Sequence, residues 1–272
     1  MLALSNVAWY NNRIDDFIQF ISDLGCTGIE LGPSMIWQEP VFVKHEERRI
    51  LKRKIIDAGL QLTGIQALLY SRQDLVLFGE AKKRDEMLDY LTEMMDFCSD
   101  LGGEVLVFGS PRNRMIGTLD DKKARAIAVD FFRKVGLRAE ERNLNFLIEP
   151  LGRSETDFIN TVSDAYNFIQ EVNQPGGLGL HIDTKGIIDE HEVEASYMIK
   201  MFALAKHVHI SEPGLKPVGS TGFDHRLISN IIQKSGYSKF LSIEMRRTDN
   251  NVEKTIENSF NYVKKTYFNG ES

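Results

Sequence analysis

The chain contains few cysteines and no long apolar run. Only two cysteines, Cys26 and Cys98, occur among its 272 residues, and each lies inside an apolar segment. Two cysteines cannot form a disulfide framework, so we expect buried thiols in a reducing compartment. No apolar run approaches the roughly 20 residues of a membrane helix, and the first residues lack the basic and apolar regions of a signal peptide. We therefore expect a cytoplasmic protein without a membrane partner.

An excess of positive charge is also missing. The chain carries 33 Lys and Arg against 39 Asp and Glu, a formal net charge of −6. Nucleic-acid and anionic-membrane surfaces are usually recognised by basic faces, so this balance argues against both partners. Neither standard glycine-rich phosphate loop occurs, which argues against an open nucleotide-binding sheet.

Short apolar runs instead alternate with longer amphipathic ones along the whole chain. The apolar runs predict eight strands, each followed by a helical pattern, at 2–9, 27–32, 61–68, 104–110, 145–151, 177–184, 205–212 and 239–245. Eight β/α units at this length predict an α/β fold, a single closed (β/α)8 TIM barrel over 1–272. We expect residues 268–272 to be a frayed tail.

Four side chains able to bind a metal lie at the ends of predicted strands five to eight: Glu149, Asp183, His209 and Glu244. In a barrel these ends meet at one mouth. Three carboxylates brought together repel one another unless a divalent cation lies among them. Oxygen ligands with one nitrogen favour Mn²⁺, with Mg²⁺, Co²⁺, Zn²⁺ or Fe²⁺ as alternatives. Taken singly, each acid could instead be a cap or an ion-pair partner.

Two further histidines, His181 and His207, face the same way as Asp183 and His209 but one pleat deeper. We interpret them as core residues or as groups that orient the ligand carboxylates.

The sequence around these strand ends resembles a known family. IEPLGRSET (148–156), LHIDTKG (180–186), HVHISEPG (207–214) and GYSKFLSIE (236–244) are similar to the xylose isomerase-like TIM barrels. That family includes ketose 3-epimerases, inosose dehydratases and apurinic endonucleases. The resemblance implies that Glu149, Asp183, His209 and Glu244 bind one divalent metal.

The resemblance also implies an activity. Glu149 and Glu244 would act as acid and base in a metal-dependent isomerase or epimerase of a sugar, a sugar phosphate or a related polyol ketone. Proton abstraction beside the carbonyl would give an enediolate, and a proton would return to the other face. Glu155 matches a family glutamate that touches the reacting end of the substrate, and Arg153 lies in the same loop.

Two positions depart from the family's sugar epimerases. The histidine usually found three residues after the strand-six aspartate is replaced by Gly186, preceded by Lys185. The arginine often found six residues after the strand-seven histidine is replaced by Leu215, followed by Lys216. We therefore expect Lys185 and Lys216 to contact the substrate in a different way.

Cations are frequent in the loops around the predicted mouth: Arg112, Arg114, Arg153, Lys185, Lys216, Arg246 and Arg247. They indicate a phosphorylated or carboxylated substrate, or simply charged and solvated loops. Arg246 is a candidate substrate contact. Trp9, at the end of strand one, could stack against a sugar ring or pack at the rim.

Three other functions compete with an isomerase. A lyase of the inosose dehydratase type would form the same enediolate and then expel a hydroxyl group. A metal-free sugar-binding protein would not need three acids at one point. An apurinic endonuclease would need further histidines after strands three and four, where Gln66 and Gly109 stand instead. We expect a small carbohydrate as the partner, and barrels of this type often form homo-oligomers.

Overall fold

Eight parallel strands close into a barrel, with β8 paired to β1. The computed structural model describes residues 1–10, 12–173 and 176–268. The strands are β1 Leu2–Ser5, β2 Gly28–Leu31, β3 Gln61–Ile65, β4 Val105–Phe108, β5 Asn145–Ile148, β6 Leu178–Asp183, β7 His207–Ile210 and β8 Leu241–Ile243. The predicted TIM barrel is confirmed. Of the expected tail, only Phe268 lies within the described residues.

Helices follow the strands around the outside of the barrel. They are α1 Ile14–Leu24, α2 His45–Asp57, α3 Ala81–Leu101, α4 Asp121–Glu140, α5 Val162–Val172, α6 Thr184–Asp189, α7 Ala195–Leu204, α8 Arg226–Ser235 and α9 Val252–Val263. The short helix α6 begins directly after β6. Its first turn is capped by Asp183, whose side chain accepts a hydrogen bond from the Lys185 amide.

The strands are shorter than the apolar runs that predicted them. After β1, for example, residues Asn6–Ala8 form a 3-10 turn, with the Ser5 side chain accepting from the Val7 amide. The apolar residues beyond the strands are still buried, as at Leu68 and Leu151. The burial of an apolar residue therefore does not show whether it belongs to a hydrogen-bonded strand.

The strand register gives the polar residues of β6, β7 and β8 a common direction. His181 pairs with His207, Asp183 with His209, and His209 with Ser242. Paired residues on parallel strands share a face, and His209 reaches Glu30 on the non-adjacent strand β2. These side chains therefore point into the barrel.

The main core lies between the strands and the helices. Phe132 on α4 contacts the rings of Phe108, Phe131 and Phe168 at centroid distances of 5.3 to 5.4 Å. A separate cluster of Val105, Val107 and Leu147 packs as its own group.

Both cysteines are free and buried, as predicted. Within the described residues, no helix is both long and apolar enough to cross a membrane.

Candidate active site

Four buried side chains converge where β5 to β8 end. Glu149 follows β5, Asp183 ends β6, His209 lies in β7 and Glu244 follows β8. One ligand atom from each lies within 4.8 Å of the others. The four residues come from separate strands, and they meet because a parallel barrel brings the carboxyl ends of its strands to one end. The four residues selected from the sequence thus form one cluster.

The carboxylate of Asp183 is held through one of its two oxygens. Oδ1 accepts hydrogen bonds from the Lys185 amide at 3.0 Å and from the Ser211 hydroxyl. Oδ2 is buried and has no hydrogen-bond partner. A buried carboxylate oxygen without a partner is costly, so Oδ2 is suited to a cation.

A residue that the sequence analysis missed orients His209. The fully buried carboxylate of Glu30 on β2 lies 2.9 Å from Nε2 of His209 and accepts from the Ser242 hydroxyl at 2.6 Å. The other ring nitrogen, Nδ1, lies 3.2 Å from Glu244. A histidine whose second nitrogen is held by a carboxylate is the usual arrangement of a metal ligand. An acid between Ile29 and Leu31 inside an apolar strand was the available signal.

The two deeper histidines lie beside different carboxylates, His207 beside Glu30 and His181 beside Glu149. Nε2 of His207 lies 3.2 Å from Glu30, so His207 supports the orienting acid. His181 is buried with neither ring nitrogen hydrogen bonded, and its Nδ1 lies 3.9 Å from Glu149. Burial lowers the pKa of His181, and the nearby His209 and His207 lower it further, so its ring is held neutral.

Burial and the neighbouring charges shift the pKa values of two residues of the cluster, Glu149 and His209. Burial, followed by the neighbouring carboxylates of Glu244 and Asp183, raises the pKa of Glu149 to about 8. Burial would lower the pKa of His209, but the charges of Glu30 and Glu244 outweigh it and raise the pKa well above its usual range. The side chains of the cluster therefore carry more negative charge than positive charge.

Glu149 also depends on the absence of a side chain beside it. A Cβ at Gly109, just beyond β4, would lie 2.3 Å from Oε2 of Glu149. That distance is shorter than any non-bonded contact of these atoms, so any larger residue would displace the carboxylate.

A cavity of about 630 Å³ opens above Glu149 and Glu244. Three of the predicted substrate residues line it, namely Glu155, Lys185 and Arg246. The buried ammonium of Lys185 donates to the Glu155 carboxylate. Burial would lower the pKa of Lys185, but Asp183 and Glu149 outweigh it and raise the pKa.

The other predicted substrate residues do not line this cavity. Trp9 is 2% exposed, its ring stacks on Phe20, and its indole donates to the Arg13 carbonyl at 2.8 Å. The guanidinium of Arg153 pairs with Glu190, and Lys216 is exposed. Trp9 thus belongs to the packing of α1, because that helix supplies the aromatic neighbours its ring needs.

Comparisons with known proteins agree with this architecture. The xylose isomerase-like TIM barrel model matches residues 18–266. A ketose 3-epimerase of Arthrobacter globiformis is 28% identical over 141 residues, which are 50% of this chain and 46% of that protein.

Solved structures with the same fold are less similar in sequence. The D-psicose 3-epimerase of Clostridium cellulolyticum H10 superposes with a TM-score of 0.81 at 16% identity, over 97% of this chain and 98% of that one. The IolI protein, solved with a bound zinc atom, superposes with a TM-score of 0.76 at 17% identity, over 99% of both chains. Together with the match to the family model, the closed barrel and the clustered strand-end residues lead to one conclusion. The chain belongs to the xylose isomerase-like TIM barrel family.

Proposed function

We propose that this protein is a divalent-metal-dependent sugar epimerase or isomerase. The observation that carries the proposal is the convergence of Glu149, Asp183, His209 and Glu244, with ligand atoms within 4.8 Å of one another, beside a cavity that Glu149 and Glu244 line. The relatives that are named as epimerases of ketoses support the sugar class.

The residues present fit a divalent ion. Oδ2 of Asp183 and Nδ1 of His209 are buried without a hydrogen bond, and His209 is already oriented by Glu30. Oxygen-rich ligands with one imidazole suit Mn²⁺, and Mg²⁺, Co²⁺ or Zn²⁺ are compatible with the same set. The zinc bound by the IolI protein is consistent with such a site. When bound, the ion would polarise the substrate carbonyl and stabilise negative charge on its oxygen.

The proton transfers fall to two carboxylates. One of Glu149 and Glu244 removes the proton from the carbon beside the carbonyl, which leaves an enediolate. The other, in its acid form, returns a proton to the opposite face of that carbon. Both carboxylates line the cavity, as groups that exchange protons with a bound sugar must.

Lys185 and Glu155 would bind the oxygen-bearing end of the substrate. Both line the cavity, and their ion pair presents a donor and an acceptor side by side. Lys185 directly precedes Gly186, the position at which the family's sugar epimerases usually carry a histidine. Arg153 and Lys216, which lie outside the cavity, are not part of this proposal.

The main alternative is a lyase that forms the same enediolate and then expels a hydroxyl group. Such a reaction needs an acid for the leaving group, and Lys185 is the available candidate beside the cluster. Its ammonium already donates to the Glu155 carboxylate in an ion pair. This favours proton return from a carboxyl group, and hence epimerisation.

The first test is metal content. The purified protein should contain a divalent ion, lose activity when a chelator removes it, and regain activity with Mn²⁺. Protein without any bound ion, and inactive with added Mn²⁺, Mg²⁺, Co²⁺ or Zn²⁺, would refute the metal dependence.

The second test is proton exchange. Ketoses, ketose phosphates and inososes are incubated in deuterated water, and deuterium uptake is followed by mass spectrometry. Uptake should be lost in Glu149→Gln and Glu244→Gln but kept in Glu104→Gln, which removes an exposed carboxylate at the other end of β4. Unchanged uptake in both cluster variants would exclude their catalytic role. Product analysis separates epimers from dehydrated products.

A further inference from the structure

The cavity has an unusual distribution of charge. Its floor is acidic, with Glu149 and Glu244, whereas its lining also includes three guanidinium groups, those of Arg112, Arg246 and Arg247. Lys185 and Glu155 neutralise one another in their ion pair. With a divalent ion bound among the carboxylates, as the proposed function requires, the three guanidinium groups give the cavity a positive balance of charge in a protein whose net charge is −6.

None of the three guanidinium groups pairs with a carboxylate among the described residues. Arg112 donates to the side-chain oxygen of Gln73 at 3.0 Å, and Arg247 lies over the ring of Tyr10 at 5.0 Å from its centroid. Both partners are neutral, so they hold each side chain in place without cancelling its charge.

Two other arginines in loops at the same end of the barrel pair with carboxylates, whereas the fully buried guanidinium of Arg114, after β4, has no hydrogen-bond partner. Arg72, after β3, forms two hydrogen bonds with Asp74 at 2.9 and 3.0 Å. Arg153, after β5, pairs with Glu190. The lack of a carboxylate partner thus distinguishes the exposed Arg112, Arg246 and Arg247 from Arg72 and Arg153.

We infer that the cavity binds a substrate carrying an anionic group, a phosphate or a carboxylate, which Arg112, Arg246 and Arg247 contact while the reacting carbonyl end lies at Glu149 and Glu244. The inference rests on the proposed function, whose substrate class it narrows. Guanidinium groups suit both anions, because their paired donors match two oxygens at once.

The rest of the lining agrees with a substrate that has two polar ends. Leu69, Tyr70 and Leu215 contribute apolar surface to the same cavity, which can cover the carbon chain of a sugar. Arg246 is also fixed through its backbone, since its amide donates to the Leu215 carbonyl at 2.8 Å. The loops after β7 and β8 are thus joined where they face the cavity. A volume of about 630 Å³ accommodates a sugar with one such substituent.

The test compares three versions of each ketose on the metal-loaded protein: unsubstituted, terminally phosphorylated, and oxidised to a terminal carboxylate. Deuterium uptake gives kcat/KM for each. We expect the anionic versions to be preferred by at least about tenfold, and the arm with the larger kcat/KM identifies the anion. Each of Arg112→Gln, Arg246→Gln and Arg247→Gln should raise KM for that anionic ketose by about tenfold, since a hydrogen bond to a charged group is lost. The ratio of kcat/KM for the anionic ketose to kcat/KM for the unsubstituted ketose should fall by about tenfold in each variant.

Arg49→Gln is the matched control, because it removes the same charge from the exposed face of α2. Its KM should equal that of the unaltered protein. Thermal unfolding of every variant verifies that the fold is intact.

A second readout does not depend on turnover. Binding of inorganic phosphate, measured by titration calorimetry, should weaken by about tenfold or more in the triple arginine variant and stay unchanged in Arg49→Gln. Equal phosphate binding in all variants, with no preference for anionic ketoses, would overturn the inference.

The two readouts also separate this inference from the proposed function. Turnover of unsubstituted ketoses without any effect of the arginines would refute the anion site alone. Arginine-dependent phosphate binding without deuterium uptake from any ketose would refute the epimerase and keep the anion site.

Discussion

The orientation of His209 by Glu30 yields the sharpest prediction. Glu30 lies 2.9 Å from Nε2 of His209 and 3.2 Å from Nε2 of His207, and it accepts a hydrogen bond from Ser242. Replacement by glutamine keeps the size of the side chain and an acceptor for His209, but it removes the negative charge. The amide nitrogen can turn toward the Ser242 hydroxyl, which also accepts hydrogen bonds.

The expected effect is on metal affinity rather than on folding. Loss of a carboxylate behind a ligating histidine typically weakens metal binding by about 10- to 100-fold, which is about 1.4 to 2.7 kcal/mol. The reason is that the charged carboxylate fixes the ring and increases the basicity of the nitrogen facing the ion. Asp183→Asn should weaken binding more, because it alters a proposed ligand directly.

The assay is a Mn²⁺ titration in competition with a chelator of known affinity, with circular dichroism to verify the fold. Glu104→Gln serves as the control, since it removes an exposed carboxylate far from the cluster. If Glu30→Gln binds Mn²⁺ within about twofold of the unaltered protein while Asp183→Asn does not, the orienting role assigned to Glu30 is refuted.

Three further predictions concern other parts of the fold. His225 is buried against Glu212, and burial lowers its pKa below the usual 6.5, so the unfolded chain binds more protons. The free energy of unfolding should therefore fall by up to about 1.4 kcal/mol per pH unit as the pH drops from about 6.5 through the lower folded pKa. Urea unfolding in chelator at pH 7.5 and 5.5 measures this, and His225→Gln should reduce the difference. Gly109→Ala should cut turnover by about 100-fold, because its Cβ would lie 2.3 Å from the Glu149 carboxylate, while thermal unfolding changes little. Phe132→Ala should destabilise the protein by about 3 to 5 kcal/mol in urea, because a buried ring with four aromatic neighbours is lost.

A specific outcome would contradict each of these three predictions. If the free energy of unfolding depends on pH identically in His225→Gln and in the exposed-site variant His45→Gln, His225 is not a source of that dependence. Full turnover in Gly109→Ala would show that the Glu149 carboxylate need not occupy its present position. A loss below about 1 kcal/mol in Phe132→Ala would mean that the core repacks around the missing ring.

The alternation of strands and helices was sufficient to predict the barrel. Apolar runs such as 104–110 and 145–151 can be buried on both faces only in a parallel sheet covered by helices, and eight repeats close the sheet. The strand-end residues Glu149 and Glu244 followed from the same reasoning, because the fold class alone determines which strand ends meet.

The tertiary structure decided what depends on contacts between distant elements. Glu30 and His209 are 179 residues apart, and no periodicity indicates that β2 and β7 face each other across the barrel interior. Trp9 has the chemistry to stack on a sugar, yet the neighbouring helix α1 surrounds its ring. Local sequence determines which face of a strand a side chain occupies, whereas its partner across the barrel depends on how the whole sheet closes.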